Sequence, residues 1–156
     1  MKNGLKLLVS LAIPLIVGFS GSLWTKTGPG TWFEQVRKPE WNPPGWLFAP
    51  VWTTLYILMG IAFYLVWKTN SSPGRKKTAM ILWCIQLLLN FAWSFIFFNQ
   101  HQIGFALADI MVLWVFILLT IFAFARISKT AAWLLVPYIC WVSFATLLNY
   151  TIWVLN

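Results

Sequence analysis

The sequence predicts an all-α integral membrane protein, a bundle of five transmembrane helices with a long ordered loop between the first and the second. Three observations carry this. Of the 156 residues, 60% are hydrophobic and only 9% charged, and the mean hydropathy is +0.77, values that the wetted surface of a single domain this size does not accommodate. The apolar residues gather into five runs, each near the roughly 20 residues needed to cross a bilayer core of about 30 Å. The period-two alternation of a membrane β-barrel is absent from them. The whole chain, 1–156, reads as one transmembrane domain.

The first helix is expected over 5–24. It follows Lys2 and Lys6 as a signal peptide would, but its apolar part is too long for a signal core and the residues after it make a poor cleavage site, so it is read as a helix. Pro14, Gly18, Gly21 and Ser22 put small residues along one face, where another helix or a ligand can come close. Residues 25–45 form the longest loop: Gly28-Pro29-Gly30 cannot continue a helix, and Pro43-Pro44 pre-set the entry into the next one. The stretch from Trp32 to Met59 carries Trp32, Trp41, Trp46 and Trp52 together with Pro39, Pro43, Pro44 and Pro50, a stiff aromatic segment suited to binding.

The second helix is expected over 45–67, with Trp52, Tyr56, Met59 and Phe63 on one face. A polar turn, 68–77, separates it from a third helix over 78–98, whose stripe of Gln86, Asn90, Trp93 and Phe97 must face protein or ligand, because amides are costly in hydrocarbon. The fourth helix is placed over 104–125 and holds Asp109, the one acid in any apolar run. The fifth is placed over 131–154, with Tyr138, Trp141, Ala145 and Asn149 on one face.

Charge gives orientation instead of a nucleic-acid partner. The net charge is +8, but the basic residues stand between apolar runs. Lys2, Lys6, Lys68, Arg75, Lys76, Lys77, Arg126 and Lys129 share one side, against Lys26, Arg37 and Lys38 on the other. The positive-inside rule then makes the amino terminus cytoplasmic and places the carboxyl terminus and the Trp/Pro loop outside, in a multi-pass protein of the cell membrane. Cys84 and Cys140 are isolated, so neither a disulfide nor a metal site is expected.

The inward stripes converge in the outer half of the bundle. Trp52, Tyr56, Asn90, Trp93, Trp141 and Ala145, with Phe33 in the loop above, outline an aromatic cavity open toward the outer leaflet. Its rings suit stacking on a flat apolar ligand, with Asn90 and indole N–H groups for its polar edges. Against this, Trp24, Trp46, Trp67 and Trp153 near helix ends read as interfacial anchors. Asn90 serves equally well as an interhelical bond, Asp109 as a structural cap or bond to an adjacent helix, His101 as an exposed loop residue in preference to a haem ligand, and Gly104-x-x-x-Ala108 as a close helix contact or dimer face.

Several long motifs resemble one family. Lys38-Pro39-x-Trp41-x-Pro43-Pro44-x-Trp46, then Pro50-Val51-Trp52-x-x-Leu55-Tyr56-x-x-Met59-Gly60, are similar to the TspO/translocator protein family, the tryptophan-rich sensory proteins that include the mitochondrial peripheral benzodiazepine receptor. Leu89-Asn90-x-Ala92-Trp93-Ser94, Ala106-Leu107-x-Asp109, Pro137-Tyr138-x-x-Trp141 and Phe144-Ala145-Thr146-x-Leu148-Asn149-Tyr150 extend the resemblance over nearly the whole chain, as in a bacterial member.

The resemblance implies five membrane helices, homodimers, and binding of protoporphyrin, haem, sterols and isoquinoline-carboxamide drugs. It makes Phe33, Trp52, Tyr56, Asn90, Trp93, Trp141, Ala145 and Leu148 the candidate ligand-binding set. It also implies, as in some bacterial members, light-dependent degradation of protoporphyrin, with Trp52 and Trp141 matching the tryptophans held responsible. Two departures stand out. No basic residue follows Leu148 and Tyr150, which counts against sterol binding, and Phe33 stands where many members have Tyr.

Three functional classes follow: a binding and sensing protein for tetrapyrroles, requiring no cofactor of its own; a photo-oxidative enzyme; and, as the alternative, a transporter of porphyrins or other small lipophilic molecules. The sequence contains neither an inverted repeat nor a chain of buried charges to favour transport. Hydrolytic or acid–base catalysis has no nucleophile–base pair or carboxylate dyad to draw on.

Overall fold

Apolar periodicity without charge leaves each long run no choice but to close its own backbone hydrogen bonds, and the computed structural model, which describes residues 2–156, is 80% helix with no strand among the described residues. The elements are α1 (Asn3–Ser22), α2 (Trp32–Gln35), α3 (Gly45–Lys68), α4 (Pro73–Ser94), α5 (Ile103–Ala125), α6 (Lys129–Leu134) and α7 (Val136–Leu155). Five spans are long and apolar enough to cross a membrane: α1, α3, α4 with the π-helical turn Phe95–Asn99 that continues it, α5, and α6 with α7.

Differences from the expected boundaries have local causes. The third span starts at Pro73 and not at 78, because Ser72 caps it by accepting from the Arg75 N–H at 3.3 Å and Pro73 fits a first turn that needs no donor. The fifth span starts early for a similar reason: the Ser128 hydroxyl accepts from Ala131 N–H. It then breaks at Leu135, since Pro137 has no N–H for the carbonyl of Trp133 and the Leu135 N–H turns to Ala132 instead. The loop contains one turn of helix, α2, that hydropathy alone did not indicate.

Helices α1 and α3 meet backbone to backbone. A Cβ on Gly60 would stand 2.7 Å from the Ser10 carbonyl oxygen and 2.9 Å from Leu11 Cα, so only glycine allows this approach. The principal core fills the space among α3, α4, α5 and α7 with Met59, Trp83, Ile110, Leu113, Ile117 and Val142, all nearly inaccessible. A second cluster, Phe33, Val36, Phe97, Ala106, Leu148 and Ile152, fastens the loop onto α5 and α7. Large apolar side chains such as Leu8, Ile16, Phe19, Leu88, Phe105 and Phe122 point outward, as a lipid-facing surface requires. Helix α7 lays its backbone on α5 and meets α3 and α4 chiefly through side chains. That stand-off makes room for a site.

Candidate functional site

The roof of the site is the loop, and it is closely tied down. Gly30, with φ of 78°, gives its N–H to Glu34 Oε2 at 2.6 Å, which fixes the turn into α2. Past the end of α2 the Lys38 ammonium donates to the carbonyls of Phe33 and Val36 and lies 4.6 Å from the Phe33 ring centroid. Phe33 itself is buried, pressed against Phe97 and Phe98 with centroids 6.0 and 5.4 Å away. Nearby, the exposed His101 stacks face to face on Trp32 at 4.3 Å, which makes it a fastening for the loop.

Beneath this roof lie two chambers. One, about 190 Å³, opens along α1 and is lined by Gly18, Gly21, Thr25, Tyr56 and Ser94 among others. The other, about 30 Å³, lies deeper against α7, walled by Phe33, Trp141, Ala145, Leu148, Asn149 and Ile152. Phe48, Trp52, Trp93 and Phe98 line both and form the partition. Six of the predicted residues, Phe33, Trp52, Trp93, Trp141, Ala145 and Leu148, thus surround the deeper chamber, and Tyr56 lines the other. The expected open cavity is instead nearly filled: the two volumes together fall below the roughly 300 Å³ at which small-molecule pockets begin. The loop and the partition rings occupy the space.

Asn90 lines neither chamber. Its Oδ1 accepts from the Tyr56 hydroxyl at 2.7 Å and its Nδ2 donates to the Tyr138 hydroxyl at 2.8 Å; Tyr138 in turn donates to Gln86 Oε1 at 2.7 Å. This buried chain joins α3, α4 and α7 under the chambers and engages both ends of the amide, so it is the interhelical reading of Asn90 that the geometry realises. Beside it, Trp93 Nε1 donates to Asn149 Oδ1 at 2.9 Å, and Asn149 Nδ2 to the Ile103 carbonyl at 3.1 Å. Trp141 differs: its Nε1 is buried with no acceptor among the described residues. A buried indole N–H without a partner, on a residue that lines the chamber, is an unused donor.

The remaining candidates fall elsewhere. Trp24 packs edge-on between Phe91 and Phe95, at 5.1 and 5.3 Å, where α1 ends against α4. Trp46 and Trp153 are 73% and 50% exposed, and Trp67 is half-buried under the Lys6 ammonium. Asp109 finds no bond to an adjacent helix for its buried Oδ2. Cys84 and Cys140 are free and exposed, and no group of three potential metal ligands occurs among the described residues.

Sequence reasoning passed over Phe48 and Phe98. Phe48 stands one helical turn before Trp52, so i, i+4 spacing could have found it. Phe98 stands one helical turn after Ser94, another wall residue, so the same spacing could have found it, at the π-helical turn that ends the span.

Comparison with known proteins adds to this geometry. The model of the TspO/MBR family matches residues 10–154. The chain is 47% identical to Tryptophan-rich protein TspO of Chlorobaculum tepidum over 155 residues, 99% of this chain and 98% of that one. It is 40% identical to Translocator protein of Homo sapiens over 141 residues, covering 90% and 83% of the two chains. Tryptophan-rich sensory protein of Cereibacter sphaeroides is 38% identical over 128 residues, 82% of this chain and 78% of that protein.

Proposed function

The chain belongs to the TspO/MBR family, and from that premise we propose that it binds and senses flat, apolar tetrapyrroles, protoporphyrin first among them, between the loop and the partition of Trp52 and Trp93. Its five spans make it a multi-pass membrane protein. The observation that carries the proposal is the pairing, at one chamber, of aromatic walls with Trp141, a wall residue whose buried N–H is unpartnered among the described residues. Rings supply the area for a planar ligand, and the unused donor supplies a place for a carboxylate or other acceptor on its edge.

Recognition in this reading is of the ring and its edge, not of a metal. Among the described residues no His, Cys or Met lines either chamber, so haem would be held there by stacking, without an axial ligand from these walls. The ligand enters by displacing the loop and turning the partition rings, since the closed chambers are too small to receive it. In this reading the loop lies on the outer side, a placement supported by the distribution of Lys and Arg.

The test is protoporphyrin fluorescence with purified protein in detergent, in darkness, for wild type and for Trp52→Phe and Trp141→Phe. Saturable binding by wild type that weakens in both variants is expected; absence of saturable binding to wild type would end the proposal. Because Trp52 and Trp141 line the same chamber, the titration repeated in light tests the second reading. Loss of bound porphyrin that is faster in wild type than in the variants supports photo-oxidation. Equal rates sink it and leave the binding function standing.

A further inference from the structure

At the end of the bundle away from the loop, α4 begins beside the end of α5, and a cleft of about 370 Å³ separates them. The geometry points to this cleft as a site for the phosphate of an anionic glycerophospholipid, held between Arg75 and Arg126, with an acyl chain lying along Phe122. The tetrapyrrole site does not account for it, and the topology signal explains the sign of the charge at this end but not the cleft. The cleft is independent of the chambers under the loop.

Charge is the first argument. Arg75 stands in the first turn of α4 and Arg126 caps the end of α5, and both line the cleft. Neither guanidinium donates a hydrogen bond among the described residues, whereas Lys76 donates to the Trp67 carbonyl at 2.8 Å, Lys6 lies over Trp67 and Lys68 over Tyr64. No carboxylate side chain offsets them. Glu34 and Glu40 belong to the loop at the opposite end, and Asp109 lies in the half of α5 nearest that loop. The helix ends do not decide the sign either: about half a positive charge at the start of α4 and half a negative one at the end of α5 nearly cancel. Two full positive charges remain.

Donor geometry is the second argument. The Gly74 N–H in the first turn of α4 has no partner among the described residues, and open space surrounds the position where a Cβ would stand. Thr78, one turn further on, also lines the cleft and has no protein acceptor for its hydroxyl, unlike Thr54, Thr120, Thr146 and Thr151, which bond the carbonyl four residues back. Two guanidiniums, an amide N–H and a hydroxyl at one cleft are a donor set for phosphate oxygens.

Phe122 chooses between a lipid and a free anion. It is 61% exposed on the membrane-facing side of α5 and continues the cleft wall toward the bilayer. A soluble phosphate gains nothing from such a surface, while a phospholipid lays a chain on it. Basic pockets between membrane helices at the level of the headgroups are recognised lipid sites.

The experiment is thermal unfolding of the full chain in a neutral detergent, titrated with short-chain phosphatidylglycerol, with phosphatidylcholine and with inorganic phosphate. Phosphatidylglycerol is expected to raise the transition temperature saturably, and the other two are not. The Arg75→Gln/Arg126→Gln double variant should bind phosphatidylglycerol about 30-fold more weakly, while Lys129→Gln, outside the cleft, keeps wild-type affinity. Because the two arginines are exposed, equal transition temperatures of wild type and double variant without lipid will show that folding is intact; if the double variant does not fold, Phe122→Ala carries the test by the same loss of affinity. An equal response to phosphatidylcholine overturns the proposal, as does an undiminished response in the double variant. A response to inorganic phosphate as large as that to phosphatidylglycerol would assign the cleft to a free anion and overturn it too.

Discussion

Asn156 holds both backbone groups of Arg37, accepting from its N–H at 3.1 Å and donating to its carbonyl at 2.9 Å. The two residues are 119 positions apart, so one side-chain amide just past α7 latches the loop that roofs the chambers. Each bond contributes about 1 kcal/mol net, less at this exposed site. Asn156→Ala is therefore expected to raise the frequency of loop opening roughly tenfold with little change in overall stability. Trypsin cleavage between Arg37 and Lys38 reads this directly. An unchanged rate would mean that the Lys38 cap and Phe33 hold the loop without the latch.

The polar floor predicts an order of stabilities. Tyr138→Phe leaves two buried groups short of partners, Asn90 Nδ2 and Gln86 Oε1, whereas Tyr56→Phe leaves only Asn90 Oδ1. Interhelical hydrogen bonds in membrane proteins average near 0.6 kcal/mol and reach about 1.7 kcal/mol. Tyr138→Phe should cost about 1–2 kcal/mol and Tyr56→Phe about half that. Thermal unfolding in detergent checks the order, and the reverse order would mean that the chain is not continuous in the membrane.

Those same residues show what was legible in the sequence. Hydropathy located all five spans, because a run of about 20 apolar residues has few other uses. The stripes on the second, third and fifth spans identified the inward faces, so Trp52, Trp93, Trp141 and Ala145 fell around one chamber. A stripe gives a direction and no partner. It could not tell that Asn90 would be taken by two tyrosines or that Trp24 would tuck against α4. Nor does it give volume. Whether rings that face one another enclose a cavity or fill it depends on rotamers and on the loop, and here they fill it.

Gly18 sets the position of Tyr56. A Cβ there would lie 2.5 Å from the Tyr56 ring, which must then move. Alanine gains about 1 kcal/mol of helix propensity over glycine, and overpacking costs about 1–3 kcal/mol, so Gly18→Ala is expected to be neutral to destabilising by about 2 kcal/mol. The displaced phenol leaves Asn90 and enters the chamber it lines. Dark protoporphyrin affinity should fall accordingly. Wild-type affinity and stability together would show that Tyr56 swings clear and plays no part in shaping the chamber.

Trp93 and Trp141 line the same chamber, yet their indole N–H groups stand in opposite states, and the two substitutions should separate stability from binding. Trp93→Phe removes the donor to Asn149 and leaves a buried amide oxygen unpaired, a loss of about 1–3 kcal/mol. Trp141→Phe removes a donor that has no acceptor, so the relief of an unsatisfied group offsets the smaller ring, and stability should stay within about 1 kcal/mol of wild type. Ligand affinity is expected to behave differently. If the unused N–H of Trp141 meets an acceptor on the porphyrin edge, Trp141→Phe weakens dark binding roughly tenfold despite its near-native unfolding temperature. Measuring both quantities on both variants makes the assignment: a Trp141→Phe protein that binds as well as wild type would make that indole a packing residue and move the polar contact elsewhere in the chamber.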